Sequence, residues 1–173
     1  MRVYVPLTLP GLAEAHSTGE LGPSGPLTAY AVTPALRAWC RTDDLEELEY
    51  AALGRAALAA LRLLAADPAA PRRRVVLAVD VTDGAVAAGA GEDLDPADLG
   101  QVRVAEGAVR LAKAAAVHVD AADAEADVTA AAGALAAADE GDDDALDVVD
   151  GAEDRELLWY APQEIPDLVG AGG

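Results

Sequence analysis

The sequence contains few aromatic residues and a single cysteine. Phenylalanine is absent, and aromatic residues make up 3% of the 173 residues, so Leu and Val must supply most of the apolar surface in the core. Cys40 alone cannot form an intrachain disulfide, which is typical of a reducing compartment. No uncharged apolar stretch reaches the ~18 residues that a membrane span needs, and the N-terminal segment lacks the apolar core of a signal peptide. We therefore expect a cytoplasmic protein that does not enter a membrane.

Basic residues are also scarce relative to acidic ones. The chain has 12 Lys and Arg against 31 Asp and Glu, a formal net charge of −19. Such a field repels phosphate backbones and anionic lipid surfaces, which argues against nucleic acids and membranes as partners. The charge favours solubility, a basic partner or divalent cations.

Strands and helices are predicted to alternate along most of the chain. Thr8 and Thr33 are each followed within two residues by Pro, a pattern typical of helix starts. Residues 43–66 combine helical apolar spacing with acidic early turns. Residues 75–79 are consecutively apolar, which predicts an interior strand covered on both faces. Residues 115–119 predict another strand, after which Asp120 is expected to cap a helix over residues 121–138.

This alternation predicts one α/β domain over residues 1–173. Its expected core is a mainly parallel or mixed sheet of about five or six strands covered by helices. Residues 82–100, which are rich in Gly, are expected to form a long loop. The acidic residues 139–154 are expected to form a second, solvated loop.

Two segments near the chain ends share a pattern that allows other folds. Residues 4–12 and 160–168 both read Tyr-x-Pro-x-x-[Leu/Ile]-Pro-x-Leu. Each resembles a short strand followed by a helix with Pro in its first turn. A duplicated βαβ arrangement or an α+β ferredoxin-like fold is therefore kept as the alternative.

Several segments together resemble an uncharacterised family of small actinobacterial proteins. They read RVYVPLTLPGL, AYAVTPALRAW, DLEELEYAAL, RRVVLAVDV, AAVHVDAADAEA and AEDRELLWYAPQEIP. The resemblance spans nearly the whole chain and implies one full-length domain. It implies no catalytic residue, cofactor or substrate.

Three polar residues near predicted strand ends are the candidates for chemistry. Asp80 and Asp120 each follow a strand, and two carboxylates gathered at one sheet edge could hold Mg²⁺. The alternative is structural: Asp120 as a helix cap and Asp80 bonded to a neighbouring loop. His118 lies two residues before Asp120, so both could face one side, and a nearby carboxylate would raise the pKa of the imidazole for acid catalysis or metal binding. A strand histidine bonded to the backbone is the alternative.

The remaining charged and Gly-rich segments match no cofactor site. The acidic run does not place ligands at the spacing of an EF-hand. The glycines of residues 84–100 match neither phosphate-binding fingerprint, so no cofactor is expected. Arg72, Arg73 and Arg74 are expected to form a solvated entry to the next strand, with exposed ion pairs.

Trp159 and Tyr160 are the candidate anchors for a protein partner, because aromatic residues dominate interface hot spots. Packing in the core is the alternative for both. The first functional hypothesis is a non-catalytic acidic binding or regulatory module, with a protein partner or self-association. The second is a divalent-metal-assisted enzyme acting on a small phosphorylated substrate, which requires Asp80 and Asp120 in one coordination sphere. The sequence leaves enzymatic activity open.

Overall fold

A computed structural model describes residues 1–22, 25–88 and 95–171. In these ranges the strands are β1 (Arg2–Leu7), β2 (Glu20–Leu21), β3 (Leu27–Tyr30), β4 (Val75–Asp80), β5 (Val86–Ala88), β6 (Gln101–Val104), β7 (Val109–Arg110), β8 (Ala114–Val119) and β9 (Leu158–Tyr160). The α-helices are α1 (Leu9–Thr18), α2 (Pro34–Cys40), α3 (Leu45–Ala66), α4 (Glu125–Asp139), α5 (Asp143–Glu153) and α6 (Ile165–Ala171).

Seven of these strands form one sheet in the order β5-β6-β3-β1-β4-β8-β9, and β2 pairs with β7 separately. Every pairing is antiparallel. The prediction of a mainly parallel or mixed sheet is therefore wrong. The alternatives fail as well. β3 and β4 are parallel to each other, as in a split βαβ unit, but the helices after β8 lead into the antiparallel β9, so no second unit duplicates the first among the described residues. Two helices also separate β3 from β4, where a ferredoxin-like order has a hairpin.

The number of helical passes between strands explains this error. The sheet has an Arg74 end, where β4 begins, and an Asp80 end, where β4 finishes. After β8 the chain forms two helices, α4 and α5, that pack against each other as a hairpin and return it to the Arg74 end, so β9 runs antiparallel to β8. Between β3 and β4 the long helix α3 crosses the sheet once, so these two strands are parallel to each other. They are not neighbours, because β1 lies between them and runs antiparallel to both.

The acidic segment that was predicted to be a loop is mostly the helix α5. Asp142 accepts a hydrogen bond from the Ala145 backbone N–H at 2.9 Å and so caps the helix. Asp143 and Asp144 follow in the first turn, where the helix dipole favours negative charge. The buried residues recur at helical spacing and pack in a cluster with α4. A charge-rich sequence forms a helix here because one face is still apolar.

The predicted loop over residues 82–100 also contains ordered structure. Asp83–Ala85 forms a 3₁₀ turn, β5 follows at once, and a second 3₁₀ turn spans Pro96–Asp98. Residues 89–94 of this prediction lie outside the described ranges.

The two faces of the sheet are covered by different helices. Val3, Leu77 and Val117 face a core that also contains residues of α1 and α6. Tyr4 and Val76 face the other side, where Ala52 and Ala56 of α3 complete the core. The predicted interior strand is confirmed, because residues 75–79 of β4 are all buried.

The repeated Tyr-x-Pro segments lie in one sheet but are not neighbours, since β4 and β8 separate β1 from β9. The helices that follow them, α1 and α6, do contact each other. Both chain ends therefore contribute to the same side of the core. Among the described residues, no helix is both long and apolar enough to cross a bilayer.

Candidate binding cleft

An open cleft of about 570 Å³ runs between α3 and the β8–β9 side of the sheet. It exists because α3 lies mainly over β1, β3 and β4. A helix is about 10 Å across and strands are about 4.8 Å apart, so one helix covers only two or three strands. On this face Ala116 of β8 is still buried against the α3 side, but Trp159 of β9 is left exposed. Residues 153–157, which lead from α5 into β9, form the remaining wall.

His118 lies on the floor of this cleft. It pairs with Val76 on one side and with Trp159 on the other, and directly paired residues of antiparallel strands face the same side of a sheet. The side chain is half-buried, and burial lowers its pKa from the ordinary value. Burial therefore favours the neutral imidazole, in which one nitrogen is a donor and the other an acceptor.

Two exposed aromatic side chains from different elements line the cleft. Tyr50 comes from α3 and is 64% exposed, while Trp159 comes from β9 and is 61% exposed. Tyr4 and Tyr30, by contrast, are buried in the core. Because the chain has so few aromatic residues, the exposure of these two along one cleft is the feature that most needs an explanation.

The charged residues of the cleft divide into paired and unpaired groups. Arg155 contacts Asp127 at 2.8 Å and Asp123 at 3.7 Å, so nearby carboxylates neutralise its charge. Glu153, Asp154 and Glu156 also line the cleft, and no side-chain ion pair involving them is found among the described residues. The cleft wall between α5 and β9 is therefore negatively charged.

Glu153 has a raised pKa, first because partial burial disfavours its charged form and second because Asp150 repels it. Arg74 and Arg55 oppose this shift. An added cation near Glu153 would relieve the repulsion and favour the carboxylate.

Beneath the cleft lies a buried ion pair between Arg74 and Asp120. Arg74 is 1% exposed and Asp120 is fully buried. The Arg74 Nε and Nη2 donate to the two Asp120 carboxylate oxygens at 2.8 Å each, and the Arg74 backbone N–H donates to Oδ2 at 2.8 Å. Arg74 Nη2 also donates to the backbone oxygen of Arg155 at 3.0 Å. The pair thus joins the start of β4 to the end of β8 and to the cleft wall.

This pair corrects two expectations about its residues. Asp120 does not cap the following helix: α4 begins at Glu125 without a side-chain cap, after a 3₁₀ turn at Ala122–Ala124. Nor is the Arg72–Arg74 cluster simply solvated. Arg72 donates to backbone oxygens at the end of α3, including that of Leu64 at 2.9 Å, and Arg73 donates to the backbone oxygen of Asp120 at 2.8 Å.

The three candidates for chemistry are not brought together. Asp80 lies at the other end of the sheet, where its carboxylate accepts hydrogen bonds from Arg2 at 3.2 Å, so Asp80 and Asp120 do not share a coordination sphere. The pKa of His118 moves down rather than up, which is opposite to the direction predicted for an imidazole beside a carboxylate. Among the described residues, no group of three or more His, Cys, Asp or Glu is arranged to hold a metal ion.

The two predicted anchor residues face opposite sides of the sheet. Trp159 lines the cleft, whereas Tyr160 packs against the core on the α1 and α6 side. Sequence reasoning missed Tyr50 and Glu153. The signal for Tyr50 was present: it is a large aromatic residue on the polar side of an otherwise regular amphipathic helix.

Comparison with known proteins gives a family but no function. The sequence model of a family of unknown function, DUF6912, matches residues 1–169. Searches of curated proteins and of solved structures found no match. The resemblance to an uncharacterised family is thereby confirmed, while an actinobacterial origin stays a prediction.

Proposed function

The chain belongs to a family of unknown function, DUF6912, and we propose that it is a non-catalytic binding module that takes a protein partner in the cleft between α3 and β9. The observation that carries this proposal is the exposure of Tyr50 of α3 and Trp159 of β9 along one cleft. Aromatic side chains are enriched at interface hot spots because they bury a large area at a low entropic cost.

The state of the polar groups supports binding over catalysis. Asp120 is held by Arg74, Asp80 is held by Arg2, and His118 lies at the floor without a carboxylate that raises its pKa. A general acid or base needs a pKa matched to its task and a positioned partner. The metal-assisted alternative required Asp80 and Asp120 in one place, and no other observation favours it.

We place this binding in the cytoplasm. That choice rests on composition: Cys40 is a free thiol, which a reducing compartment preserves.

Selection from a random peptide library displayed on phage tests the proposal. The dissociation constants of the enriched peptides are then measured for the wild type and for the Trp159→Ala and Tyr50→Ala variants. A hot-spot aromatic contributes about 2 kcal/mol or more, so we expect each substitution to weaken binding at least ~30-fold.

Trp39→Ala is the matched control, because Trp39 is an equally exposed tryptophan on α2 and does not line the cleft. It is expected to bind like the wild type. Peptides that bind all four proteins equally would place the binding surface elsewhere and overturn the proposal.

A further inference from the structure

We propose that the occupant of the cleft is an extended, basic segment of another protein, which pairs with β9 as an eighth strand of the sheet and places Arg or Lys side chains over the cleft. This inference rests on the proposed function and gives it a partner class and a binding mode.

The open edge of the sheet at β9 is the first observation. β9 pairs with β8 on one side, and no strand within the described ranges lies on its other side. Alternate residues of an antiparallel strand direct both backbone groups towards the same neighbour. Part of the β9 backbone therefore faces outward, where an extended peptide can form main-chain hydrogen bonds.

The side chains of β9 are the second observation. Natural proteins blunt exposed edges with short strands, charge, proline or a covering element. β9 is short, at three residues, yet it presents Leu158 at 46% exposure and Trp159 at 61% exposure. Trp159 faces the cleft, and Leu158 faces the opposite side of the sheet. An added strand would therefore meet Trp159 with one set of alternate side chains and Leu158 with the other.

Charge decides which side chains suit the Trp159 face. Of the three arginines in the cleft, Arg74 is paired with Asp120 and Arg155 with Asp127 and Asp123. Among the described residues, this leaves Arg55 as the cleft arginine without an ion pair, compared with three carboxylates, those of Glu153, Asp154 and Glu156. A guanidinium or ammonium group over Trp159 would gain a cation–π contact as well as these carboxylates.

The expected recognition pattern is thus an alternation of basic and apolar residues. The basic side chains lie on the cleft face, and the apolar ones contact Leu158 on the other. The overall charge of −19 also attracts a basic segment from a distance and accelerates association.

The same charge argues against a second copy as the occupant. Pairing β9 with β9 of another molecule would join two chains of −19 and bring two acidic walls together. β9 has only three residues, so few main-chain bonds would offset that repulsion.

Fluorescence anisotropy with labelled ten-residue peptides tests the inference. The probe alternates Arg and Val, and the first comparison peptide alternates Glu and Val. We expect the Arg peptide to bind at least ten times more tightly than the Glu peptide, with an affinity that falls as salt rises.

Backbone N-methylation separates strand addition from simple charge attraction. One derivative is methylated at the Val nitrogens and the other at the Arg nitrogens, so each blocks one edge of the peptide and keeps the charge. Because only one edge pairs with β9, we expect one derivative to lose at least ten-fold in affinity and the other to bind like the parent. Equal binding of both derivatives would overturn strand addition and leave the proposed function standing.

Protein variants locate the charge contribution. The Glu153→Gln/Glu156→Gln variant should bind the Arg peptide about three- to ten-fold more weakly, since each exposed ion pair contributes only a modest binding energy. Glu14→Gln/Glu106→Gln removes the same charge from exposed sites on α1 and in the β6–β7 turn, and it should have no effect beyond the small loss of overall charge. Equal losses in both double variants would mean that only net charge matters.

Two further outcomes also overturn the inference. One is Trp159-dependent binding of acidic or apolar peptides in preference to basic ones, which would keep the cleft as a binding site but reject the partner class. The other is a concentration-dependent dimer in analytical ultracentrifugation that Trp159→Ala dissociates, which would make a second copy the occupant. If no peptide of any class shows binding that depends on Trp159, the proposed function itself is rejected.

Discussion

Removing Arg74 should destabilise the fold more than removing any exposed arginine. The Arg74→Met variant leaves the Asp120 carboxylate buried without its counter-ion, and the Arg155 backbone oxygen loses a donor. Breaking a buried ion pair from one side typically costs 3–5 kcal/mol. In a chain of this length, each kcal/mol of lost stability lowers the melting temperature by about 2–4 °C. The melting temperature should therefore fall by roughly 6–20 °C.

Arg2→Met is the matched control. Arg2 also forms a two-point contact with an aspartate, Asp80, but both side chains are substantially exposed. Water and salt screen such a pair, so its loss should cost less than ~1 kcal/mol. Circular dichroism follows the thermal unfolding and the urea unfolding of both variants and of the wild type at the same pH, which gives the melting temperatures and the free energies of unfolding.

The double variant Arg74→Met/Asp120→Asn tests the cause. It removes both charges and keeps a side-chain oxygen that can accept from the backbone N–H of residue 74. We expect it to be more stable than Arg74→Met alone, because no unpaired buried charge remains. Equal costs for Arg74→Met and Arg2→Met, or a double variant less stable than Arg74→Met, would refute this account of the pair.

Two other predictions concern pH and the acidic segment. Burial lowers the pKa of His118 in the folded state, so the unfolded chain binds a proton first as the pH falls through about 6.5. The wild type should therefore lose stability relative to His118→Gln between pH 8 and pH 5, by at most ~1.4 kcal/mol per pH unit. Urea unfolding at several pH values measures this difference in stability, and a difference that stays constant with pH would contradict the prediction. Asp142→Ala should lower the free energy of unfolding by about 1 kcal/mol, because it removes the cap of α5. Asp147 is exposed within the same helix, and Asp147→Ala should cost less in the same unfolding assay. Equal costs would argue against the capping role of Asp142.

The positions of most elements could be predicted from local sequence. Thr8 and Thr33 do cap α1 and α2, each with Pro in the first turn, because capping depends on residues within one turn of each other. The long helix was predicted to start at residue 43, and it begins at Leu45 with Asp44 as its cap. The burial of β4 followed from its unbroken apolar run.

The direction of the strands could not be predicted in this way. The alternation of strand and helix is the same whether a connection makes one pass or two. Only the packing of α5 against α4 decided that β9 returns antiparallel to β8. The apolar face of α5 is hidden in sequence by the seven acidic residues that surround it between Asp139 and Asp150.

The candidate site shows the same division. Trp159 was identified from the sequence as a candidate anchor because aromatic residues are so scarce. Its place in one cleft with Tyr50, and the burial of Arg74 against Asp120, depend on residues far apart in the chain. Local sequence determined the charge, the caps and the apolar runs, since these arise from near neighbours. Tertiary structure decided which strands meet and which charges are buried, because these depend on contacts between distant parts of the chain. It also decided where a cleft is left open, because a single helix covers only two or three strands.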